Sequence, residues 1–321
     1  MIYSVIIPVY KNEVFIPDLL QTLTEMNEAL AGQMEAVFVV DGSPDRSYAL
    51  LHEALNTLNF SAQLLAHSRN FGSFAAIRSG LKAAKGDYFG VMAADLQEPS
   101  ELVLAFFQAL SCNECEVAIG TRSGRNDPLF SRLASKIFWG LYRRLVVQDM
   151  PSGGVDIFGC NRQFRDHLLQ LEESRSSLIA LIFWLGFRRK LVSYERQERQ
   201  QGKSGWTLRK KIDYMMDSIF AFTDYPIRLL TRVGALGSVL SIIFAMIILI
   251  ARMLGKIDVP GYTTTTLIVL ILGSLNLFGL GLIGTYSWRA YENSKHRPQA
   301  IVALTHKNKW EKVIESASLY S

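Results

Sequence analysis

The chain has 321 residues, of which 49% are hydrophobic and 20% charged, and its formal net charge is +5. This apolar content excludes a mainly disordered chain, which could not bury enough hydrophobic surface to fold. A mean hydropathy of +0.16 beside an isoelectric point near 9.0 is an unusual pair for one uniform domain. It predicts two unlike regions in one chain.

The cysteines and the N-terminus indicate a cytosolic setting. Cys112, Cys115 and Cys160 are too few for a disulfide scaffold. The first two have the spacing of a zinc hook, but no second pair completes four ligands. We interpret them as ordinary thiols, with a metal or redox role as the alternative. Residues 1–8 lack a basic segment and a cleavage site, so they predict a first strand and not a signal peptide.

Residues 1 to about 225 alternate between short apolar runs and segments of helical periodicity. The pattern predicts strands at Ser4–Val9, Ala36–Asp41, Gln63–His67, Tyr88–Ala93 and Glu116–Gly120, and helices near 14–31, 45–58, 74–84 and 99–111. This alternation is typical of an α/β fold whose mostly parallel sheet is covered on both faces. Ligands of such sheets bind beyond the carboxyl ends of the strands, so functional residues are expected directly after each strand.

Two long apolar runs follow, Val233–Leu254 and Thr265–Trp288. A helix of about 22 residues is roughly 33 Å long, so a hairpin of two transmembrane helices is predicted. Basic residues flank both outer ends of the hairpin, whereas the connection carries only Lys256, with Arg252 just inside the first run. By the positive-inside rule, both termini and the large domain are predicted to face the cytoplasm.

The second run contains a match to the dinucleotide-binding pattern G-x-G-x-x-G, at Gly279, Gly281 and Gly284. That pattern binds nucleotides only after a strand and at a water-accessible helix N-terminus. Neither is predicted here, so we interpret the glycines as small residues that allow close helix packing.

Polar residues follow the first three predicted strands. Tyr10 and Glu13 come after the first strand, Asp41 ends the second, and Arg69 comes after the third. A carboxylate at this edge, such as that of Asp41, can accept hydrogen bonds from a ribose or a base. Asp45 is interpreted instead as a cap of the next helix.

The fourth and fifth strands lead into residues suited to a diphosphate. Asp95 and Gln97 alternate along a segment predicted to be extended, so both oxygens would point to one side and could bind a divalent cation. The alternative is that Asp95 only caps the helix that follows Pro99. Arg122 can bind a phosphate bidentately, whereas Arg125 is interpreted as a surface residue.

In chain order these segments read P-V-Y-x-N-E, D-G-S-x-D, R-N-F-G, D-L-Q-E-P and G-x-R. The series resembles the inverting nucleotide-sugar glycosyltransferases of family 2. The segment from 201 to the hairpin resembles their polyprenyl-phosphate branch, which includes bactoprenol glucosyltransferases and dolichyl-phosphate mannose synthase. The resemblance covers about residues 3–295. It implies a Rossmann-like GT-A domain that transfers a sugar, UDP-linked by expectation, to polyprenyl (undecaprenyl) phosphate with inversion.

The resemblance also implies roles for individual residues. The nucleotide-sugar pocket would be lined by Pro8, Tyr10, Glu13, Asp41 and Arg69. Mg²⁺ or Mn²⁺ would be held by Asp95 and Gln97, and the catalytic set would be Asp95, Arg122 and Asp156. The acceptor phosphate would be bound by Ser204, Lys210, Lys211 and Arg228.

This sequence departs from the family pattern at two places. The family usually has D-x-D at the metal, but the first position here is Ala93, so a lower metal affinity is expected. Residues 151–158 read P-S-G-G-V-D-I-F where many relatives have G-D-F-R. Asp156 could therefore face either the donor sugar or the acceptor phosphate.

Residues 188–211 carry nine basic side chains against Glu195 and Glu198. This density suits nucleic acid, anionic lipid or a solvated face, and its place before an apolar run favours lipid phosphate over nucleic acid. A helix over 206–224 is predicted to be amphipathic and interfacial. The predicted regions are a catalytic domain at 1–200, a juxtamembrane region at 201–228, the hairpin at 229–288 and a basic tail at 289–321.

Together these features predict a metal-dependent transferase of the bacterial inner (cytoplasmic) membrane that serves cell-envelope or O-antigen modification. An acceptor phosphate is already anionic at neutral pH, so a strong general base is not required. The resemblance further implies a homo-oligomer, namely a tetramer, with a flippase and a downstream glycosyltransferase as partners. Two alternatives stay open. One is a processive polysaccharide synthase, which the lack of a Q-x-x-R-W sequence disfavours, and the other is a non-catalytic membrane scaffold, which Ala93 suggests.

Overall fold

The computed structural model describes residues 1–122, 140, 142–144, 149, 151, 155, 157–173, 177–195, 216–223, 225–254 and 261–308. The chain divides into two compact units, Met1–Lys211 together with Pro298–Ser321, and Ile212–Arg297. Four predicted site residues, Asp156, Ser204, Lys210 and Lys211, lie outside the described residues, as does most of the predicted juxtamembrane helix.

A single mixed sheet organises the described part of the first unit. Its strands are β1 (Tyr3–Val9), β2 (Met34–Val40), β3 (Ser61–His67), β4 (Tyr88–Val91), β5 (Val117–Arg122), β6 (Phe158–Asn161), β7 (Arg189–Tyr194) and β8 (Val302–Lys307). They lie in the order β7-β5-β6-β4-β1-β2-β3-β8. β6 and β8 run antiparallel to their neighbours, and the other pairings are parallel. The predicted α/β fold with a mostly parallel sheet is confirmed.

Helices connect the parallel strands. They are α1 (Ile16–Ala29), α2 (Ser47–Ala54), α3 (Ser73–Ala83), α4 (Ser100–Ser111), α5 (Arg162–Gln170) and α6 (Leu178–Trp184), with a short 3₁₀ turn at Glu13–Phe15. The four predicted helices correspond to α1–α4. α5 and α6 begin at capping side chains, because Asn161 Oδ1 accepts from Phe164 N–H (2.9 Å) and Ser177 Oγ accepts from Ala180 N–H (3.2 Å).

The core of the sheet is a run of apolar strands buried on both faces. Every residue of β2 is buried, as expected for a central strand covered by helices on both sides. One of them is charged, but Glu35 accepts from Ser4 Oγ (2.6 Å), Gln63 Nε2 (2.7 Å) and Lys85 N–H (2.9 Å). These bonds lie at the amino ends of the strands, so they stabilise the fold away from the edge where ligands are expected.

The second unit contains two long helices, α7 (Tyr225–Met253) and α8 (Tyr262–Ser294). Residues 216–222 are also helical, and Arg289 Nη2 of α8 donates to Asp217 Oδ1 (2.5 Å). The two predicted membrane spans coincide with α7 and α8. Among the residues that the structure describes, however, no helix has the length and apolar character needed to cross a bilayer. The prediction of two transmembrane helices is therefore not supported.

Five elements of the first unit were not predicted from the sequence, namely β6, β7, β8, α5 and α6. Of these, β8 lies in the C-terminal tail. The side chains of β8 are mostly exposed, so the segment lacks the continuous apolar run by which β1–β5 are recognised. It is a strand because it pairs with β3, from Gln63 opposite Lys307 to His67 opposite Val302. Such pairing over a long sequence separation leaves no local signal.

Candidate functional site

The carboxyl ends of the parallel strands gather most of the described candidate residues at one edge of the sheet. Tyr10 and Glu13 follow β1, Asp41 follows β2, Arg69 follows β3, Asp95 and Gln97 follow β4, and Arg122 ends β5. From β1 the chain passes to β2 and β3 on one side and to β4 on the other. This reversal is the switch point at which open α/β sheets bind ligands.

Asp41 is buried and accepts several hydrogen bonds. It is 2% exposed, and its Oδ1 accepts from Phe71 N–H (2.9 Å) and contacts His67 Nδ1 (2.8 Å), while its Oδ2 accepts from Gly72 N–H (2.7 Å). The carboxylate therefore lies at the N-terminus of α3, whose dipole favours a negative charge. In this structure Asp41 holds the turn between β3 and α3.

That turn presents Arg69 to solvent. The Arg69 guanidinium lies 4.0 Å from the centroid of the Phe71 ring and Nη1 donates to Asn70 O (3.1 Å). Stacking on an aromatic face restricts the guanidinium while its remaining N–H groups stay available. Arg69 is thus an exposed cation held at the end of β3, as a phosphate or base contact requires.

Gly42 lets the turns after β2 and β3 touch. It has φ +59°, and a Cβ at this position would lie 2.4 Å from the Arg69 carbonyl carbon and 2.5 Å from Asn70 N. Asn70 Nδ2 in turn donates to Asp41 O (3.2 Å). A glycine is thus needed at position 42 both for the left-handed conformation and for the close approach of two backbones.

We predict that Gly42→Ala destabilises the protein by about 2 kcal/mol or more, because it adds a backbone clash to the strain of a positive φ. Gly32→Ala is the matched control. Gly32 has φ +77°, but a Cβ added there would meet no atom within 4 Å, so only the strain, about 1 kcal/mol, is expected. Thermal unfolding of the two variants measures the difference, and equal losses would contradict the clash.

Asp45 joins the loop after β1 to the start of α2. Its carboxylate accepts from Glu13 N–H (3.0 Å), Ser43 Oγ (2.6 Å), Ser47 Oγ (2.8 Å) and Ser47 N–H (3.2 Å). Partial burial alone would raise the pKa of Asp45, but these hydrogen bonds outweigh it and hold the pKa below the ordinary 3.8. The residue at the N-cap of α2 is Arg46, without a side-chain cap, so Asp45 is not the cap itself; it supports the start of the helix from the preceding position through Ser47.

We predict a pH-dependent stability contribution from Asp45. Since the folded-state pKa is depressed, the contribution is complete above the unfolded pKa and is lost as the pH falls through the folded pKa. Wild type should therefore exceed Asp45→Asn in melting temperature at neutral pH, and the gap should narrow as the pH drops below 3.8. A gap of the same size at every pH would contradict this prediction.

Glu13 and Tyr10 have different surroundings in the loop after β1. Glu13 Oε2 accepts from Arg46 N–H (2.9 Å), so its side chain also supports the start of α2. Tyr10 is 43% exposed, and the Lys11 ammonium lies 5.5 Å from the centroid of its ring. Pro8 is the next-to-last residue of β1 and pairs with Val39. Of these three predicted pocket residues, Tyr10 offers the most open surface.

The segment after β4 differs from the prediction. Leu96 has φ +54° and its N–H donates to Ala93 O (3.3 Å), so Asp95 lies in a turn and Gln97 follows it. The prediction that the backbone is extended from Asp95 to Gln97 is wrong, because the turn and the positive φ of Leu96 interrupt it. Gln97 is 7% exposed and Glu98 is 4% exposed, whereas Asp95 is half-buried.

The donor atoms after β4 suit a weakly held hard cation. A carboxylate from Asp95 and an amide oxygen from Gln97 are oxygen ligands of the kind that Mg²⁺ and Mn²⁺ prefer. Among the described residues no group of three or more His, Cys, Asp and Glu side chains could hold a metal. Such a site would depend on ligands from a bound diphosphate.

The remaining candidates are placed in part. Arg122 is the last residue of β5 and pairs with Tyr194 of β7. Arg228 lies in the first turn of α7, in the second unit, and is exposed.

The structure adds two residues to which sequence reasoning gave no role, His67 and Ser79, which lie behind Asp41. The sequence did offer a signal for His67, because it ends one predicted strand and Asp41 ends the neighbouring one. No feature of the sequence pointed to Ser79.

Comparison with known proteins identifies close relatives of the chain over nearly its full length. The model of the family described as Glycosyl transferase family 2 matches residues 4–171. The chain is 31% identical to the uncharacterized glycosyltransferase YkcC of Bacillus subtilis (strain 168), over 95% of this chain and 94% of that protein. It is 28% identical to the bactoprenol glucosyl transferase of Shigella phage SfV (93% and 97% covered). It is 30% identical to the undecaprenyl-phosphate 4-deoxy-4-formamido-L-arabinose transferase of Proteus mirabilis (strain HI4320), with 95% of each covered.

Solved structures show a weaker likeness. The mannosyltransferase PcManGT from Pyrobaculum calidifontis in complex with GDP-Man and Mn²⁺ has a TM-score of 0.42 and 16% identity, with 87% of this chain and 86% of that chain covered. S. aureus TarS 1–349 in complex with UDP-GlcNAc has a TM-score of 0.43 and 19% identity, with 69% and 66% covered. These scores are too low to transfer any property to this chain.

Proposed function

Because the chain belongs to glycosyl transferase family 2, we propose that it transfers a sugar from a nucleotide-sugar to polyprenyl phosphate, specifically undecaprenyl phosphate. The observation that carries this proposal is the match, over more than nine-tenths of both chains, to relatives named for bactoprenol and undecaprenyl-phosphate transfer. A glycosyltransferase of this length that shared only the nucleotide-sugar domain would not match along the C-terminal third.

The sheet edge supports a nucleotide-sugar donor. It presents an exposed tyrosine and an exposed arginine, Tyr10 and Arg69, beside the partly exposed carboxylate of Asp95 and the cation of Arg122. An aromatic ring and a stacked guanidinium suit a base, and an arginine at a strand end suits a diphosphate. We take the donor to be UDP-linked.

The proposed reaction is a single displacement. A phosphate oxygen of the lipid attacks the anomeric carbon, the bond from that carbon to the diphosphate breaks, and the nucleoside diphosphate leaves from the opposite face. The acceptor is already anionic, so the protein's task is to align the two substrates and neutralise the leaving group. Arg122 is assigned to the diphosphate, and an α-linked donor would give a β-linked product.

A divalent cation, Mg²⁺ or Mn²⁺, is part of this proposal. Asp95 and Gln97 would hold it, and when bound it would supply positive charge to the diphosphate. With Ala93 in place of a second carboxylate, the protein contributes fewer charged ligands, so affinity would depend on the donor being present.

We further propose that the protein works at the cytoplasmic face of a bacterial inner membrane, in cell-envelope or O-antigen glycan modification. α7 and α8 expose large apolar side chains, among them Leu236 (62%) and Leu277 (72%), which water disfavours. Near the end of α8 the Lys295 ammonium lies 5.1 Å from the Trp288 ring and 4.2 Å from the Tyr291 ring. Exposed aromatic residues beside a cation are typical of a membrane–water interface.

The test uses full-length protein purified in detergent, undecaprenyl phosphate, a panel of nucleotide-sugars and Mn²⁺ or Mg²⁺. Mass spectrometry of the lipid extract should show one added sugar from one donor, and NMR of the product should show the β-anomer from an α-linked donor. A polymer would instead indicate the processive synthase. No lipid-sugar with any donor, together with no nucleotide binding by calorimetry, would indicate the non-catalytic scaffold.

A further inference from the structure

A chain of three polar side chains runs from the middle of α3 to the edge of the sheet, with Ser79 half-buried and His67 and Asp41 buried. Ser79 Oγ lies 2.8 Å from His67 Nε2, and His67 Nδ1 lies 2.8 Å from Asp41 Oδ1. The His67 side chain is 0% exposed and that of Asp41 is 3% exposed. None of the roles assigned so far uses His67 or Ser79.

The chemistry of the two ends fixes the direction of these hydrogen bonds. An ionised carboxylate only accepts, so His67 Nδ1 must carry the proton that it shares with Asp41. In a neutral imidazole the other nitrogen then accepts, so Ser79 Oγ donates to Nε2. Asp41 thus selects the neutral tautomer that is protonated at Nδ1, and Ser79 supplies the hydrogen bond at Nε2 that holds the ring in place.

Hydrolases use the same three residue types for acyl transfer, but the surroundings of Ser79 do not suit a nucleophile. Ser79 is in the interior of α3 (Ser73–Ala83), where backbone N–H groups are engaged within the helix. Free N–H groups for a developing oxyanion are therefore lacking at this position. The hydrogen bonds from Ser79 to His67 and from His67 to Asp41 are therefore better suited to orient the Asp41 carboxylate than to activate Ser79 as a nucleophile.

What Asp41 holds is the turn that carries Arg69. Besides His67, its carboxylate accepts from Phe71 N–H (2.9 Å) and Gly72 N–H (2.7 Å). The Phe71 ring packs edge-on against His67, with ring centroids 5.6 Å apart, and its face carries the Arg69 guanidinium at 4.0 Å. A rotation of His67 would therefore disturb the Asp41 carboxylate, the Phe71 ring and Arg69 together.

We infer that Ser79 and His67 are positioning residues that orient Asp41 and thereby fix the Arg69–Gly72 turn for binding of the nucleotide part of the donor. The inference rests on the proposed function, since it assigns these residues to the same site. It concerns donor binding and not the chemical step, because the His67 side chain is fully buried and Ser79 contacts it from the interior of α3.

The first experiment measures UDP binding by calorimetry with full-length protein in detergent, alongside KM and kcat for the donor. Ser79→Ala and His67→Leu should weaken UDP binding and raise the donor KM by about tenfold, as expected when one buried hydrogen bond no longer orients its partner, with kcat nearly unchanged. His67→Asn, whose amide can donate to Asp41 in place of Nδ1, should restore most of the loss. Ser73→Ala, an exposed serine in the same helix, is the matched control.

The second experiment tests the hydrogen-bond direction without relying on activity. Nitrogen-15 NMR of the five histidines, assigned by the His67→Asn spectrum, should show His67 as the neutral tautomer protonated at Nδ1. Ser79→Ala should leave His67 protonated at Nδ1 and shift the Nε2 signal, because that nitrogen loses its hydrogen-bond donor.

Three outcomes would overturn the inference: an imidazolium at neutral pH, a His67 Nε2 signal insensitive to Ser79→Ala, or unchanged UDP binding in both His67→Leu and Ser79→Ala. Wild-type protein that binds no nucleotide and makes no lipid-sugar would instead overturn the proposed function. The NMR result would then still decide whether Ser79 donates to His67 Nε2, so the two failures are distinguishable.

Discussion

Asp95→Asn is expected to lower the rate of sugar transfer by about a hundred- to a thousandfold, the loss typical of removing one charge-stabilising group from an active site. The substitution keeps the shape of the side chain and removes the negative charge that the proposed cation needs. Asp95 is half-buried and lies on the turn after β4, so little effect on folding is expected. Initial rates at saturating donor, measured with and without Mn²⁺, check the prediction.

Two companion variants make this measurement specific. Asp18→Asn changes an exposed aspartate in the first turn of α1 and should leave the rate unchanged. Ala93→Asp restores the acidic position that the family usually has, and it should lower the Mn²⁺ concentration needed for half-maximal activity. Full activity in Asp95→Asn at every Mn²⁺ concentration would remove Asp95 from the site.

Asp41→Ala is expected to destabilise the first compact unit by about 3–5 kcal/mol, the usual cost of removing one partner from a buried charged cluster. It deprives His67 Nδ1, Phe71 N–H and Gly72 N–H of their acceptor at once. Asp41→Asn should cost less, about 1–3 kcal/mol, because one oxygen remains while the new amide nitrogen cannot accept an N–H. Denaturant or thermal unfolding of the purified variants measures their stabilities and shows whether Asp41→Ala loses more than Asp41→Asn.

Glu35→Gln offers the comparison at the opposite end of the strands. Glu35 is equally buried and also accepts three hydrogen bonds, so its substitution should destabilise by a similar amount without changing UDP affinity in the folded protein. If Asp41→Asn were as stable as wild type, the carboxylate would not be what holds the turn after β3.

Many of the strands and helices of the first unit could be predicted because they leave local patterns in the sequence. β1–β5 are short apolar runs, and α1–α4 have helical periodicity between them. The parallel arrangement then predicts that Tyr10, Asp41, Arg69, Asp95 and Arg122 share one edge of the sheet. The prediction that the backbone is extended from Asp95 to Gln97 was wrong because the conformation there leaves no local pattern in the sequence. A positive φ at a leucine, as at Leu96, is rare and is stabilised by its surroundings and not by its own residue type.

The family, the α/β class of the sheet, the order of the motifs and their place at strand ends could all be predicted from the amino-acid sequence, since each depends on residues close together in the chain. The surroundings of each side chain could not, because they depend on tertiary contacts. The structure placed β8 beside β3, bonded Asp45 to Glu13 of the loop after β1, and brought Ser79 of α3 behind His67 and Asp41. These contacts join segments that folding brings together across the sheet, and the direction in which a side chain points is set by that packing, which local periodicity does not encode.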